Sequence, residues 1–325
     1  MRLGLLALAA ALVASPSHSA FAASFSGIYT FGDSLSDAGN ASIATAGVFP
    51  GPGYATRSVP LVPFPVGYFT NPQVGSGPAG LWVDQLAATL GITDPQPALA
   101  PLGGTNYAIG SADTGTGLAS MTNQIALFLT RTGGLAPSTG LYTFWGGSND
   151  IFDGLNPVAA ADNIANQILT LHAAGANTFL WLNLPALGMI PEFSGNAGAA
   201  ALANAASAAF NAEYATRLMA LEALGINVVG VDVNALFNSI NANPAAFGFT
   251  NTTTACAITP GCNPNSALYW DLEHPTTYAD SFVASLAAQD LAPTPEPSSI
   301  TLLTLGSVFL VGFGYSQRRR LAPTA

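Results

Sequence analysis

The chain has 325 residues, half of them hydrophobic and only 7% charged, with no Lys and a formal net charge of −10 at pH 7. Arg57, Arg131 and Arg217 are the only Lys or Arg between Arg2 and the Arg318-Arg319-Arg320 cluster, against all 17 Asp and Glu. That balance excludes nucleic acid and anionic membrane surfaces as partners and leaves neutral esters, lipids and glycans.

Residues 1–23 open on Arg2, continue with an apolar run from Leu3 to Val13, and end on Ala20-Phe21-Ala22 before a small residue. This pattern predicts a cleavable secretory signal whose apolar part is too short for a stable span. Residues 24–291 then have the length of a single domain able to bury a full core. Apolar strands over 27–31, 105–109, 141–145, 178–182 and 227–231 alternate with Ala-rich helical stretches over 80–90, 121–130, 157–174, 198–224 and 276–288. Alternation of this kind predicts an α/β fold. The expected form is a three-layer α/β/α sandwich, flavodoxin-like, around a central, mostly parallel five-stranded sheet. Right-handed crossovers would align the strand C-termini along one edge.

Between these elements, residues 47–78 are too rich in Pro for a helix or a central strand. They read either as an irregular surface loop or as a wall over a site at the sheet edge. The apolar stretch 59–68 could line a groove or pack down. Cys256 and Cys262 lie in a Pro/Gly/Asn-rich loop, where an exported protein favours a disulfide. The three His are scattered, so no metal set is expected.

The chemistry-bearing residues fall in short blocks. Phe31-Gly32-Asp33-Ser34-Leu35-Ser36-Asp37 follows the first strand, and Gly146-Gly147-Ser148-Asn149-Asp150 follows the third, so both reach the same edge. Of the histidines, His18 leaves with the signal and His172 sits in a helical stretch, as a helix-end or core residue. His274 remains, with Asp271 three residues earlier and Pro275 restricting its backbone. A carboxylate at that spacing can accept the imidazole Nδ1 hydrogen and leave Nε2 to take a proton from a serine. The competing role for Asp271 is to cap the helix that starts near Thr276. The Asn149 amide and the Ser34 N–H are candidate donors for a developing oxyanion; Asn149 or Asp150 could instead cap the following helix.

Together these blocks resemble the GDSL, or SGNH, family of serine esterases and lipases. Gly32-Asp33-Ser34-Leu35, Gly147-Ser148-Asn149-Asp150 and Asp271-Leu272-Glu273-His274 carry the resemblance, with Phe69-Thr70-Asn71 and 80–86 similar to a stretch of its larger members. The resemblance implies a cofactor-free hydrolase of carboxylic esters, with Ser34 as nucleophile, His274 as base and Asp271 as the orienting acid. It also implies an oxyanion hole from Ser34, Ser111 and Asn149, with Asp33, Gly110 and Gly147 in support. Members of that family usually carry Gly where this chain has Ser111, so the second backbone donor is the position that departs from the pattern. Other readings of the same residues are an acyltransferase or deacetylase acting on extracellular polysaccharide, and a non-catalytic matrix or adhesion protein. The expected oligomeric state is a monomer.

Residues 292–325 differ in kind. Pro295-Glu296-Pro297 precedes an uncharged apolar run over 300–315, short for a bilayer span, and then the three arginines. This tail resembles the PEP-CTERM sorting signal of Gram-negative bacteria. The resemblance implies an exosortase-type processing enzyme as partner, transient membrane association through the apolar segment, and a final place outside the cell or on its surface.

Overall fold

The structure is a computed structural model that describes residues 25–292. The expected secretory signal over 1–23 and nearly all of the expected sorting segment over 292–325, its apolar run included, therefore lie outside the described residues.

Four parallel strands form the sheet in the order β1 (Ile28–Gly32), β4 (Leu141–Trp145), β5 (Thr178–Leu182) and β6 (Asn227–Val231). β1 and β4 stand in register from Ile28 opposite Leu141 to Gly32 opposite Trp145. Every residue of β4 is buried, as a strand covered on both faces requires. The core gathers Trp82, Trp145, Trp181, Tyr142, Phe31, Phe128, Phe144 and Phe179, all fully enclosed. Aromatic contacts knit its layers, with Phe31 stacked on Phe144 at 5.4 Å and edge-on to Phe128 at 5.7 Å.

Helices cover the sheet in two groups. α3 (Met121–Arg131) packs on α5 (Pro157–Ala173), and α5 packs along α6 (Ala197–Ala223). α2 (Trp82–Leu90) packs along α8 (Thr277–Leu291), which also touches β6. Their starts have local causes. The Asn156 side chain accepts the Val158 N–H with Pro157 in the first turn, and Asn196 accepts the Ala199 N–H.

The expected five-stranded sheet is corrected to four. The 105–109 segment does run beside β1, with Tyr107 N–H donating to the Thr30 carbonyl and Ile109 N–H to that of Gly32. It makes only isolated parallel bridges at Asn106, to Thr30 of β1 and, on the other side, to Pro97. Asn106 turns its polar groups to other work: its amide donates to the Ser36 carbonyl, and its side-chain oxygen accepts the Ala108 N–H. The ladder stops at the next rung because the Gly32 N–H donates to Gln124 Oε1 at 3.0 Å and not to a carbonyl of this segment.

Elements absent from the sequence reading are short or lie in loops: α1 (Asn40–Ala44), α4 (Ser148–Phe152), α7 (Val233–Ala242) and a hairpin. The hairpin pairs β2 (Ala55–Arg57) antiparallel with β3 (Val66–Tyr68) inside the Pro-rich region. Arg57 ties it to the body by ion pairs with Asp84 and Asp94 and lies 4.7 Å from the Tyr68 ring centroid. Val59 and Val66 form a small cluster of their own with Ala100, backed by Ile43, Val62 and Phe64. The 59–68 stretch thus packs down. Cys256 and Cys262 are joined in a disulfide. Their loop is stitched to the segment before Asp271, with Cys256 N–H donating to the Tyr269 carbonyl and Ala257 N–H to that of Trp270.

Candidate active site

Ser34 follows β1 in a tight turn where Ser36 N–H donates back to the Asp33 carbonyl at 3.1 Å. The Asp33 side chain accepts the Leu35 N–H at 3.0 Å. Four residues on, the Asp37 carboxylate accepts the N–H groups of Gly39, Asn40, Ala41 and Gly110. One buried carboxylate thus joins the Ser34 turn to the Gly110 turn.

The second contributor is the loop from Asp271 to Pro275. Asp271 Oδ1 accepts the backbone N–H of Glu273 at 2.8 Å and of His274 at 2.7 Å, which coils the loop around the carboxylate. Oδ2 lies 2.7 Å from His274 Nδ1, and His274 Nε2 lies 2.7 Å from Ser34 Oγ. The cap of α8 comes from elsewhere. Thr276 Oγ1 accepts the Ala279 N–H, and Asn71 Oδ1 accepts the Thr277 N–H. Asp271 therefore takes no part in that cap.

Electrostatics follow from this packing. Burial works to raise the Asp271 pKa, but the hydrogen bonds and charge of His274 outweigh it, with help from Tyr54, and hold the carboxyl well below its ordinary range. For His274 burial lowers the pKa, and Asp271, then Glu273 and Asp33, more than reverse it, so the imidazole is raised above its usual value. Asp33 is driven the other way from Asp271: burial pushes it up to about 7.

Asn149 sits in α4 directly after β4 and lines the same cleft as Ser34 and His274. One of its amide hydrogens goes to the Ala112 carbonyl at 3.0 Å, leaving the other for a ligand. Neither Asn149 nor Asp150 caps a helix here, since α4 starts at Ser148. The Asp150 carboxylate instead accepts the Thr114 N–H and hydroxyl, pinning the loop beyond Ser111. Ser111 is exposed and adopts a left-handed φ of 63°, the conformation glycine favours. No partner takes the Ser34 or Ser111 N–H among the described residues. Gly110 is buried, and a Cβ there would lie 2.5 Å from the Phe69 ring. Gly147 has φ 112°, with its Cβ position filled by Phe210.

The cleft is walled by Leu35, Phe152, Leu187, Ile190 and Phe237 and floored by the polar groups. Leu187 and Ile190 follow β5 at the same sheet edge and were inferable from topology. Phe237 belongs to α7 and gave no recognisable signal. His172 is remote from this cleft, its Nδ1 3.1 Å from the Ala176 carbonyl.

A serine at a strand end and an imidazole and carboxylate from a loop stand in hydrogen-bonded line, the arrangement that a serine nucleophile requires. The GDSL-like Lipase/Acylhydrolase family matches residues 28–287, and the chain belongs to that family. It is 27% identical to Lipase 1 of Photorhabdus luminescens over 91% of this chain and 51% of that protein. It is 26% identical to the thermolabile hemolysin of Vibrio parahaemolyticus over 79% of this chain and 62% of the relative. The chain thus spans about half the length of the former and under two thirds of the latter. Among solved structures, an acetylxylan esterase of Geobacillus stearothermophilus is similar over 84% of this chain and 96% of its own, at 13% identity and TM-score 0.44.

Proposed function

We propose that this protein is an exported serine hydrolase that cleaves carboxylic esters through an acyl-enzyme. The observation that carries the reading is the unbroken path from Ser34 Oγ to His274 Nε2 and from His274 Nδ1 to Asp271 Oδ2, each step 2.7 Å. Ser34 Oγ attacks the ester carbonyl as His274 Nε2 takes its proton. Asp271 holds the ring and stabilises the imidazolium, which then protonates the leaving alcohol. The Ser34 and Ser111 N–H groups and the free Asn149 amide hydrogen face the developing oxyanion. Water repeats the attack on the acyl-enzyme with His274 as base, and the acid leaves. No step calls for a cofactor.

Export and surface placement are read from residues 1–23 and from the Pro-Glu-Pro tail, with an exosortase-type enzyme as processing partner. Turnover of p-nitrophenyl esters of graded chain length, alongside Ser34→Ala and labelling by a fluorophosphonate, tests the chemistry. Turnover and labelling that both vanish in Ser34→Ala are the expected result. A wild-type protein that neither turns over any ester nor takes up the label would overturn the reading.

A further inference from the structure

The Pro-rich region 47–78 meets the Asp271–Pro275 loop at several points. The phenol of Tyr54, immediately before β2, donates to Asp271 Oδ2 at 2.6 Å, the same oxygen that faces His274 Nδ1. Burial and the Asp271 carboxylate push the Tyr54 phenol well above its ordinary pKa, so it stays protonated and can only donate here. With the two backbone N–H groups on Oδ1, the carboxylate has four donors, and both oxygens are held. Two further contacts from the same region meet the same loop. The Phe69 ring lies 5.1 Å from the His274 ring and 6.3 Å from that of Tyr54, and the Thr70 hydroxyl donates to the Pro275 carbonyl at 3.1 Å. Ala55 N–H donates to the Thr70 carbonyl at 2.9 Å, so Tyr54 and Thr70 are presented by one folded unit.

We infer that Tyr54 is a positioning residue of this site, delivered by the Pro-rich region to fix Asp271 against His274. The inference rests on the ester-hydrolase reading above. Without the phenol, Oδ1 stays anchored by backbone, but Oδ2 keeps only the imidazole and gains freedom to swing and to take up water. The ring is then aimed less sharply at Ser34. A second effect has a definite sign. A donor on Oδ2 shares the carboxylate's negative charge and weakens its pull on a protonated His274. Removing it strengthens that pull and raises the imidazolium pKa, so a higher pH is needed to free the base. The other ionisable groups facing His274 are Asp33 and Glu273, and both are unchanged in such a variant.

The test is Tyr54→Phe in the full chain, which keeps the ring against Phe69 and removes only the hydroxyl. Expected are a fall in kcat of about 10-fold, the range for a lost hydrogen bond to a charged group, with KM within about twofold. The acid limb of kcat/KM should move to higher pH. In an Asp271→Asn background the same change should cost less than about twofold, because a group acting through Asp271 has nothing left to act on. An unchanged kcat and acid limb, or losses that multiply fully in the double variant, would overturn the inference. So would a drop in Tm with the kinetics intact, which marks a merely structural role. The low-field His274 Nδ1–H proton resonance gives a readout without substrate. If the wild type proves inert towards esters, the functional reading falls, while a resonance that shifts in Tyr54→Phe still supports the Tyr54 link and an unmoved one removes it.

Discussion

Ser34 and Asn149 follow strands β1 and β4, whose residues are almost all buried and whose ends are set by a regular ladder. Asp271 and His274 stand on no strand. Their loop is held by its own carboxylate, by Tyr54, Phe69 and Thr70 from the Pro-rich region, and by bonds to the disulfide loop. The Ser34 side is placed by local patterning and the His274 side by contacts distant in sequence, as the separation of 217 residues between Tyr54 and Asp271 makes plain. One side of the site inherits its geometry from the sheet; the other has to be assembled.

If both sides act as one device, breaking either should abolish the reaction. Ser34→Ala and His274→Ala should each lower kcat at least about 10⁴-fold, and the double variant should be little worse. Retention of a tenth of the activity in His274→Ala would mean that another group serves as base. Asp271→Asn should cost about 10³- to 10⁴-fold through the wrong imidazole tautomer, with the fold intact by circular dichroism.

Next in size comes Asn149→Ala on the sheet side. On the proposed reading its free amide hydrogen meets charge only in the transition state, so kcat should fall about 10²-fold while KM changes little. A large loss of Tm with modest kinetic change would show instead that the bond to the Ala112 carbonyl is its main role.

This contrast also accounts for what was legible beforehand. Ser34, Asn149, Asp271 and His274 could be read because each sits in a short block of characteristic residues, and four of the five expected strands could be read because their apolar runs are short and bounded. The fifth was lost to a distant side chain: Gln124 takes the Gly32 N–H that the next rung of the ladder would use. Tyr54 was invisible because nothing local marks it. A tyrosine between Pro-Gly and a three-residue strand gains its meaning only from a partner far along the chain. The ambiguity between surface loop and wall was of the same origin, since long-range hydrogen bonds leave no periodicity.

The two sides differ again in how they answer pH. Asp271 has a depressed pKa, so its contribution to stability is present above the unfolded carboxylate value of about 3.9 and is lost as pH falls below it. Asp33 is raised to about 7 by burial, so stability is full below about pH 3.9 and is lost as pH rises towards 7. Thermal denaturation should therefore show Asp33→Asn gaining Tm relative to wild type at pH 8 and losing that gain at pH 4. Asp271→Asn should do the reverse, with its deficit greatest at neutral pH and fading in acid. Parallel pH profiles for the two variants would contradict the opposed electrostatics of the two sides.

The smallest effect is expected at Ser111, where a serine holds a backbone conformation that glycine favours. Its φ of 63° costs a non-glycine residue about 1–2 kcal/mol, a strain that Ser111→Gly relieves. The same change frees the unfolded chain and gives back part of the gain, about 0.4–1 kcal/mol, so the net change in stability should stay within about 1 kcal/mol. The backbone N–H persists in either residue, so short esters should be hydrolysed at the wild-type rate. Only the side chain is removed, and Ser111 is exposed on the loop that Asp150 pins through Thr114. Esters of bulky acids are therefore the substrates on which Ser111→Gly should match or exceed the wild type. A several-fold drop on short esters, measured as kcat/KM with p-nitrophenyl acetate, would assign the hydroxyl a role of its own and displace the N–H as the reason this turn lies where it does.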